Sequence, residues 1–455
     1  MKRNEKTGQR QSGAVVALVV LGLVLLSAFG PYVASGIRTE QIAVYTLAVT
    51  SLVGLAIRPP VRILGAILAC WVVYALWACV SALSPGANFA PYPRGELLAG
   101  VDNLALPIAV IVVVHALVPR EIAQKVLRVV AMLIVGLLGV NVLAAFWTLT
   151  TGYAWTSWWS SGETSTGARA LTQSRVSGLV NQPAEAGFLY GIAILCALYL
   201  WSNRPKVGYP IILFLVAGGV LTVSKIFLLA ALPLAVWHVV VVQGRRTARQ
   251  FGLVLALGGI WVALQAGVFS AWSGVDQLQR ALMPSAGRSL VQQASGNRFG
   301  EASTVRPLIE GVWASAPLAG FGAGGLSVAY DNAWVEAFVV GGVVGAFLLT
   351  LTLVLMCVGW WRAPISAERT LLGALVILIG AACLGLPALT ANRASTTVWV
   401  LLSLLFISLD RGVTRNSERQ PSGRARSSGG ATLRSPRTEG WRELQGSLIE
   451  RTPDS

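Results

Sequence analysis

Charge is scarce in this chain. Only 12% of its 455 residues are Asp, Glu, Lys or Arg, whereas 55% are hydrophobic. A soluble domain of this length would carry about twice that charge, which excludes a water-soluble globular protein. Histidine is scarcer still, with 2 in the whole chain, His115 and His238. The 5 cysteines (Cys70, Cys79, Cys196, Cys357, Cys383) fall inside apolar blocks without metal-ligand spacing. They read as small buried hydrophobes rather than as a disulfide framework or a zinc site. No internal repeat is visible. The formal net charge of +16 would suggest nucleic acid, but the basic residues are dispersed through alternate loops, which excludes that partner.

What is abundant is long apolar runs. They lie at 13–33, 40–57, 62–83, 97–118, 126–150, 180–201, 207–223, 225–243, 250–270, 330–360, 369–389 and 393–410. A bilayer crossing takes about 20 residues of helix. The expected fold class is therefore all-α, a polytopic integral membrane protein of about 12 transmembrane helices. Its membrane domain covers 13–410, with a large outer loop, 271–329, between the ninth and tenth helices. Residues 1–12 form a basic N-terminus (Lys2, Arg3, Lys6, Arg10). The first run is too long, and lacks the cleavage site, for a removed signal peptide. The stretch 207–243 is too long for one helix and barely long enough for two, so a tight hairpin is expected at Ser224–Lys225. In 151–179 the cluster Trp155, Trp158 and Trp159 reads as an interfacial belt, with sugar stacking as the sharper alternative. The loop 271–329 shows a helical pattern around Val305 to Ser315. Residues 411–455 hold nine arginines against five acids and read as a disordered cytoplasmic tail resting on anionic lipid.

Orientation follows from charge. Every second connection is short and basic: Arg58 and Arg62; Arg120, Lys125 and Arg128; Arg204 and Lys206; Arg245, Arg246 and Arg249; Arg362 and Arg369. By the positive-inside rule these are cytoplasmic, as are both termini. An even number of spans satisfies the pattern. His115 and His238 then fall toward cytoplasmic ends.

On the opposite, outer side several ionisable groups converge. Arg175 opens the sixth run and Lys225 stands at the turn of LTVSKIF. Arg288, Arg298 and Arg306 lie in the large loop. Glu185 sits just inside a helix opening at Pro183, with Arg175 as an expected partner. Arg175 and Lys225 also have a plainer reading, snorkelling to headgroups, and the loop arginines a plain solvated one. The densest stretch is GFGAGGLSVAYDNAWVEAFVVGGVVGAFLL, from Gly320 to Leu349. A glycine-rich run leads to Asp331, Asn332 and Glu336 and then directly into a membrane-length apolar helix. Asn332 and Glu336, four apart, are expected on one helix face. A polar helix start, with Asp331 or Asn332 as N-cap and Glu336 one turn in, accounts for one of these residues well and for all three poorly.

The glycines Gly320, Gly322 and Gly324, then Asp331, Asn332, Val335 and Glu336, then Gly342 and Gly345, resemble the O-antigen ligase and polymerase superfamily of bacterial envelope enzymes. That family's pattern is G-x-G-x-G, His/Asp-Asn-x-x-aliphatic-Glu, and G-x-x-G. Its second motif is matched by Arg175, Gly178, Leu179, Asn181 and Ala186, and its third by Thr222, Ser224 and Lys225, with Lys for the usual Arg. An Arg preceding the Pro-x-x-G of SAPLAGFG is matched by Arg306 or Arg298. The ligase branch has His where this chain has Asp331, which favours the polymerase branch.

The resemblance implies transfer of glycan from undecaprenyl pyrophosphate to an acceptor hydroxyl at the outer face, without metal or cofactor. Arg175, Lys225, Arg306, Arg298, Asn181 and Glu185 would bind pyrophosphate or substrate. Asp331, with Glu336 second, would take the acceptor proton, and Asn332 would orient the sugar or phosphate. Implied partners are the lipid-linked glycan, the bilayer and envelope polysaccharide assembly proteins. The rival from another class is a flippase or transporter of lipid-linked glycan, for which the long outer loop has no evident use. The sequence leaves polymerase against ligase, sugar, linkage and acceptor open.

Overall fold

The computed structural model describes residues 2–34, 37–57, 61–89, 97–151, 175–180, 182–242, 305–327 and 330–419. The expected span 250–270, the Trp155–Trp159 segment, Asn181, Arg288, Arg298 and the tail beyond 419 lie outside the described residues.

Helices stand at the remaining predicted runs. They are α1 (Lys2–Ala28), α2 (Thr39–Ile57), α3 (Arg62–Ser81), α4 (Leu97–Leu117), α5 (Ala123–Thr151), α6 (Pro183–Leu200), α7 (Pro205–Leu221) and α8 (Leu232–Trp237), the last flanked by π-helical turns Phe227–Ala231 and His238–Val242. After them come α9 (Arg306–Ser315), α10 (Ala333–Arg362), α11 (Ala367–Ala382) and α12 (Asn392–Arg419). Proline in the first turn of α6, α7 and α9 sets their starts, because its fixed φ suits a helix and its missing N–H is not needed there. Among the described residues, six helices are long and apolar enough to cross a membrane: α3, α4, α5, α6, α10 and Arg393–Asp410 within α12. Shorter apolar helices add to these. The architecture is that of a multi-pass membrane protein.

Two boundaries differ from expectation. Helix α1 begins at Lys2, ahead of the apolar run at 13, and closes into a small antiparallel ribbon of Tyr32–Ala34 and Ile37–Arg38. Helix α12 continues past 410 to Arg419. Met1–Val413 forms one compact unit and Thr414–Ser455 a second.

Helix α6 lies at the centre. Fifteen of its residues, from Pro183 to Leu198, are buried, as expected of a helix apolar all round. Its glycines admit neighbours: a Cβ on Gly187 would lie 2.3 Å from the Ser224 Cβ, and one on Gly191 2.6 Å from the Ala231 Cβ.

The bundle has two distinct ends. At one, Arg120 pairs with Asp410 at 2.9 Å. There the Glu368 carboxylate also accepts from Gln124 at 2.7 Å and from the Tyr199 hydroxyl at 3.0 Å. This is the basic end, carrying Lys125, Arg128, Arg204, Arg362 and Arg369. At the other meet the starts of α2, α4, α6 and α12 and the ends of α1 and α7, through the contacts described below. This is the site end.

The largest departure from expectation is α10. It is not one straight membrane-length helix running from Asn332. Gly342 has φ 63° and ψ −153°, a conformation open to glycine almost alone, and the chain folds back there. The Trp334 indole donates to Thr350 Oγ1 at 3.2 Å, whereas sixteen residues of straight helix would separate them by about 24 Å. A short helix, 333–341, therefore lies antiparallel to the first turns of 343–362, and the latter alone has membrane length. The glycine-rich run supplies what the break exposes. Phe321 N–H donates to Val339 O (2.8 Å) and Gly322 N–H to Val340 O (2.9 Å), while Val343 N–H donates to Pro317 O (2.9 Å). The Trp77 indole takes Gly341 O at 3.0 Å. Irregular backbone at membrane depth is tolerated where other protein groups satisfy it.

Candidate functional site

Two of the sequence motifs converge at the end of α7. The segment 175–180 is anchored by a backbone bond from Val176 N–H to Leu221 O at 2.9 Å. The Asn141 amide of α5 grips it as well, donating to Ser177 O (3.1 Å) and accepting from Leu179 N–H (2.7 Å). Gly178, at φ 67°, has its would-be Cβ 2.6 Å from Asn141 Oδ1, so only glycine fits this bend. The result is that Arg175, half-buried, donates from Nε to Thr222 O at 3.2 Å.

The turn it reaches is Thr222–Ser224, where the expected hairpin break occurs. Thr222 Oγ1 donates to Gly219 O at 2.7 Å, and Val223 takes φ 46°. Positive φ at a β-branched residue is a genuine strain. Ser224 then opens the next helical stretch, its carbonyl accepting from Leu228 N–H at 3.0 Å, which puts half-buried Lys225 in the first turn. A cation there stands against the helix dipole. Arg175, Lys225 and the N–H groups of that turn concentrate positive potential in one place.

The acidic motif resolves into three different roles. Asn332 is the N-cap of the 333–341 helix: its Oδ1 accepts from Trp334 N–H (2.9 Å) and Val335 N–H (3.1 Å), and its Nδ2 donates to Leu384 O (3.3 Å). Its side chain is thus engaged in capping, the polar helix start weighed from the sequence. Extended at φ −156°, it does not share a helix face with Glu336. Glu336 is buried and accepts a hydrogen bond from Thr390 Oγ1. Asp331 is exposed, one residue before the cap.

Glu185 also has a partner other than the expected Arg175. Its carboxylate accepts from Ala394 N–H of α12 at 2.9 Å, capping that helix from a neighbour. Around it runs a buried ionic network that sequence reading missed. Arg38 binds Glu40 and, at 3.1 Å, Asp102. Asp102 accepts from Gln41 and from the Tyr45 hydroxyl, the latter at 2.7 Å. Arg393, 2% exposed, donates to Leu179 O and, at 3.1 Å, to Gly30 O. One available signal was the presence of Asp102 and Arg393 inside apolar runs, where ionisable residues are costly and usually functional.

Arg306 opens α9 and pairs with Glu310 at 2.8 Å, both side chains more than half exposed. A surface pair of this kind contributes little to stability. Arg298 and Asn181 lie outside the described residues. No group of three or more His, Cys, Asp or Glu able to hold a metal occurs among the described residues. No protein-family model matches the chain, and no curated protein matches it.

Proposed function

We propose that this protein is a metal-independent glycosyltransferase of the bacterial inner membrane, resembling the O-antigen ligase and polymerase superfamily. It moves glycan from a polyprenyl-pyrophosphate donor to an acceptor hydroxyl at the outer face. The observation that carries the reading is the meeting of Arg175 with the Thr222–Lys225 turn. These residues come from two separate motifs, and they meet at a helix N-terminus, the end that favours anions.

In this mechanism the acceptor oxygen attacks the anomeric carbon with inversion, and the bond from that carbon to the pyrophosphate oxygen breaks. The lipid pyrophosphate leaves with the bonding electrons. Arg175 and Lys225 stabilise the charge it gains, most strongly where water is excluded. The acceptor proton passes to a carboxylate. Asp331 suits that task because its exposure lets it return the proton to water, whereas Glu336 is buried. The polymerase form, with a second lipid-linked oligosaccharide as acceptor, is favoured by Asp331 in the position of the ligase histidine.

One observation favours the rival reading. Interrupted helices such as that at Gly342 also build transporter sites. A purified protein in detergent separates the two readings. Supplied with polyprenyl-pyrophosphate oligosaccharide, a polymerase yields longer chains and free polyprenyl pyrophosphate, whereas a flippase leaves the substrate chemically unchanged. Absence of any product with the matched oligosaccharide would overturn the transferase reading.

A further inference from the structure

The Arg175 segment is held from both of its ends. At its start, Val176 bonds to Leu221 and Arg175 to Thr222. At its far end the carbonyl of Leu179 accepts from Arg393, whose second terminal nitrogen binds Gly30 O just past α1. Between them the bend at Gly178 rests on Asn141.

Arg393 occupies an unfavourable place for a cation, the first turn of α12 and so its positive end. Carboxylates from two other helices compensate. Glu40 of α2 and Glu185 of α6 both lie within electrostatic reach of it, and Glu185 also takes the neighbouring N–H of Ala394. Arg38 and Asp102 complete the set of charges at this point. A buried arginine so compensated, with its fork spread over carbonyls of two different segments, ties the 175–180 arm to α1 and α12 at once.

We infer that Arg393 is a positioning residue. It fixes the Leu179 end of the arm so that Arg175 is delivered to the Thr222–Lys225 turn. The inference rests on the reading of Arg175 as a pyrophosphate-binding group. Lysine would keep the charge but present a single ammonium in place of a planar fork, so it would hold one carbonyl and release the other.

The test uses full-length protein purified in detergent and a water-soluble maleimide, with the unsubstituted protein as control for its native cysteines. Val176→Cys reports on the arm, and Val312→Cys in α9 reports on the rest of the site end; the native residues are 3% and 0% exposed. Arg393→Lys should raise the labelling rate at 176 several-fold and leave that at 312 unchanged. Arg393→Met should do the same where it accumulates to normal level. An unchanged rate at 176 in the lysine variant would overturn the inference. A parallel rise at both positions would overturn it too, since it marks general loosening. In the transfer assay, Arg393→Lys should lower turnover, and adding Arg175→Lys should deepen the loss no further; multiplicative losses would count against coupling. If labelling behaves as expected while the wild type transfers no glycan, the positioning role stands and the transferase reading falls.

Discussion

Replacing Gly342 with alanine decides whether α10 is broken, because the two possibilities predict opposite signs. In a straight helix, alanine in place of glycine stabilises by about 1 kcal/mol. In the folded-back geometry it does the reverse. Residue 342 has φ 63° and ψ −153°, and an L-residue held there is strained by about 1–3 kcal/mol. The new Cβ would stand 2.4 Å from both the carbonyl carbon and oxygen of Leu318 and 2.6 Å from Pro317 O. These are backbone atoms that cannot swing aside, so overpacking adds about 1–3 kcal/mol. The net expectation is a loss of roughly 2–6 kcal/mol. Thermal unfolding of detergent-purified protein, followed by size-exclusion fluorescence, should show a clear fall in melting temperature for Gly342→Ala. Gly324→Ala, with nothing within 4 Å of its Cβ, is the control. A Gly342→Ala protein as stable as wild type would refute the break. So would failure of a short thiol-reactive crosslinker to join cysteines at 334 and 350.

Other consequences are equally direct. Arg175→Ala and Lys225→Ala should each abolish glycan transfer at normal membrane abundance, and Lys225→Arg should retain much of it; full activity in both alanine variants would mean that these cations only snorkel. Asp331→Asn should leave the helix cap intact, because Asn332 supplies it, and lower transfer by about 10²–10⁴ as expected for a lost general base; an active variant removes Asp331 from the mechanism. Asn332→Ala should lower stability by about 1 kcal/mol, and Asn332→Asp should restore it. Reporter fusions after Arg128 and Lys206 should read cytoplasmic and one after Arg306 outside, an outside signal at Lys206 being the result that breaks the orientation.

The helices were legible because membrane composition is a coarse and redundant signal. A run such as 62–83 or 369–389 needs only length and hydropathy to be recognised, and prolines at 183 and 205 mark starts independently. The fold-back at Gly342 was not legible for the same reason. Between Glu336 and Arg362 the segment carries no charge, and hydropathy cannot tell one long helix from a short one returning along a longer one. The glycines at 320, 322 and 342 were visible as a cluster. Their meaning depended on pairing Phe321 with Val339 and Gly322 with Val340, a separation that no local pattern records. Once paired, Gly320, Phe321 and Gly322 lie along the broken strand of carbonyls from Val339 to Gly342, and the glycine-rich run becomes the structural complement of the break.

At the site end the cations were easier to find than their partners. Arg175 and Lys225 stand at helix boundaries, where a charge next to an apolar run catches the eye. Glu185 was visible too, but nearness in sequence suggested Arg175 as its partner when the structure gives it the N-terminus of α12, more than two hundred residues away. The Arg38–Glu40–Asp102 group fared worst, since a short polar connection such as SGIRTE looks like an ordinary solvated loop. Burial is what changes its meaning: Arg38 and Glu40 are 6% and 1% exposed, and breaking a buried pair costs about 3–5 kcal/mol. A chain this poor in charge does not bury such groups where water would serve. They lie within electrostatic reach of Glu185 and Arg393, and through Arg393, which holds Leu179 O, they bear on the segment that carries Arg175.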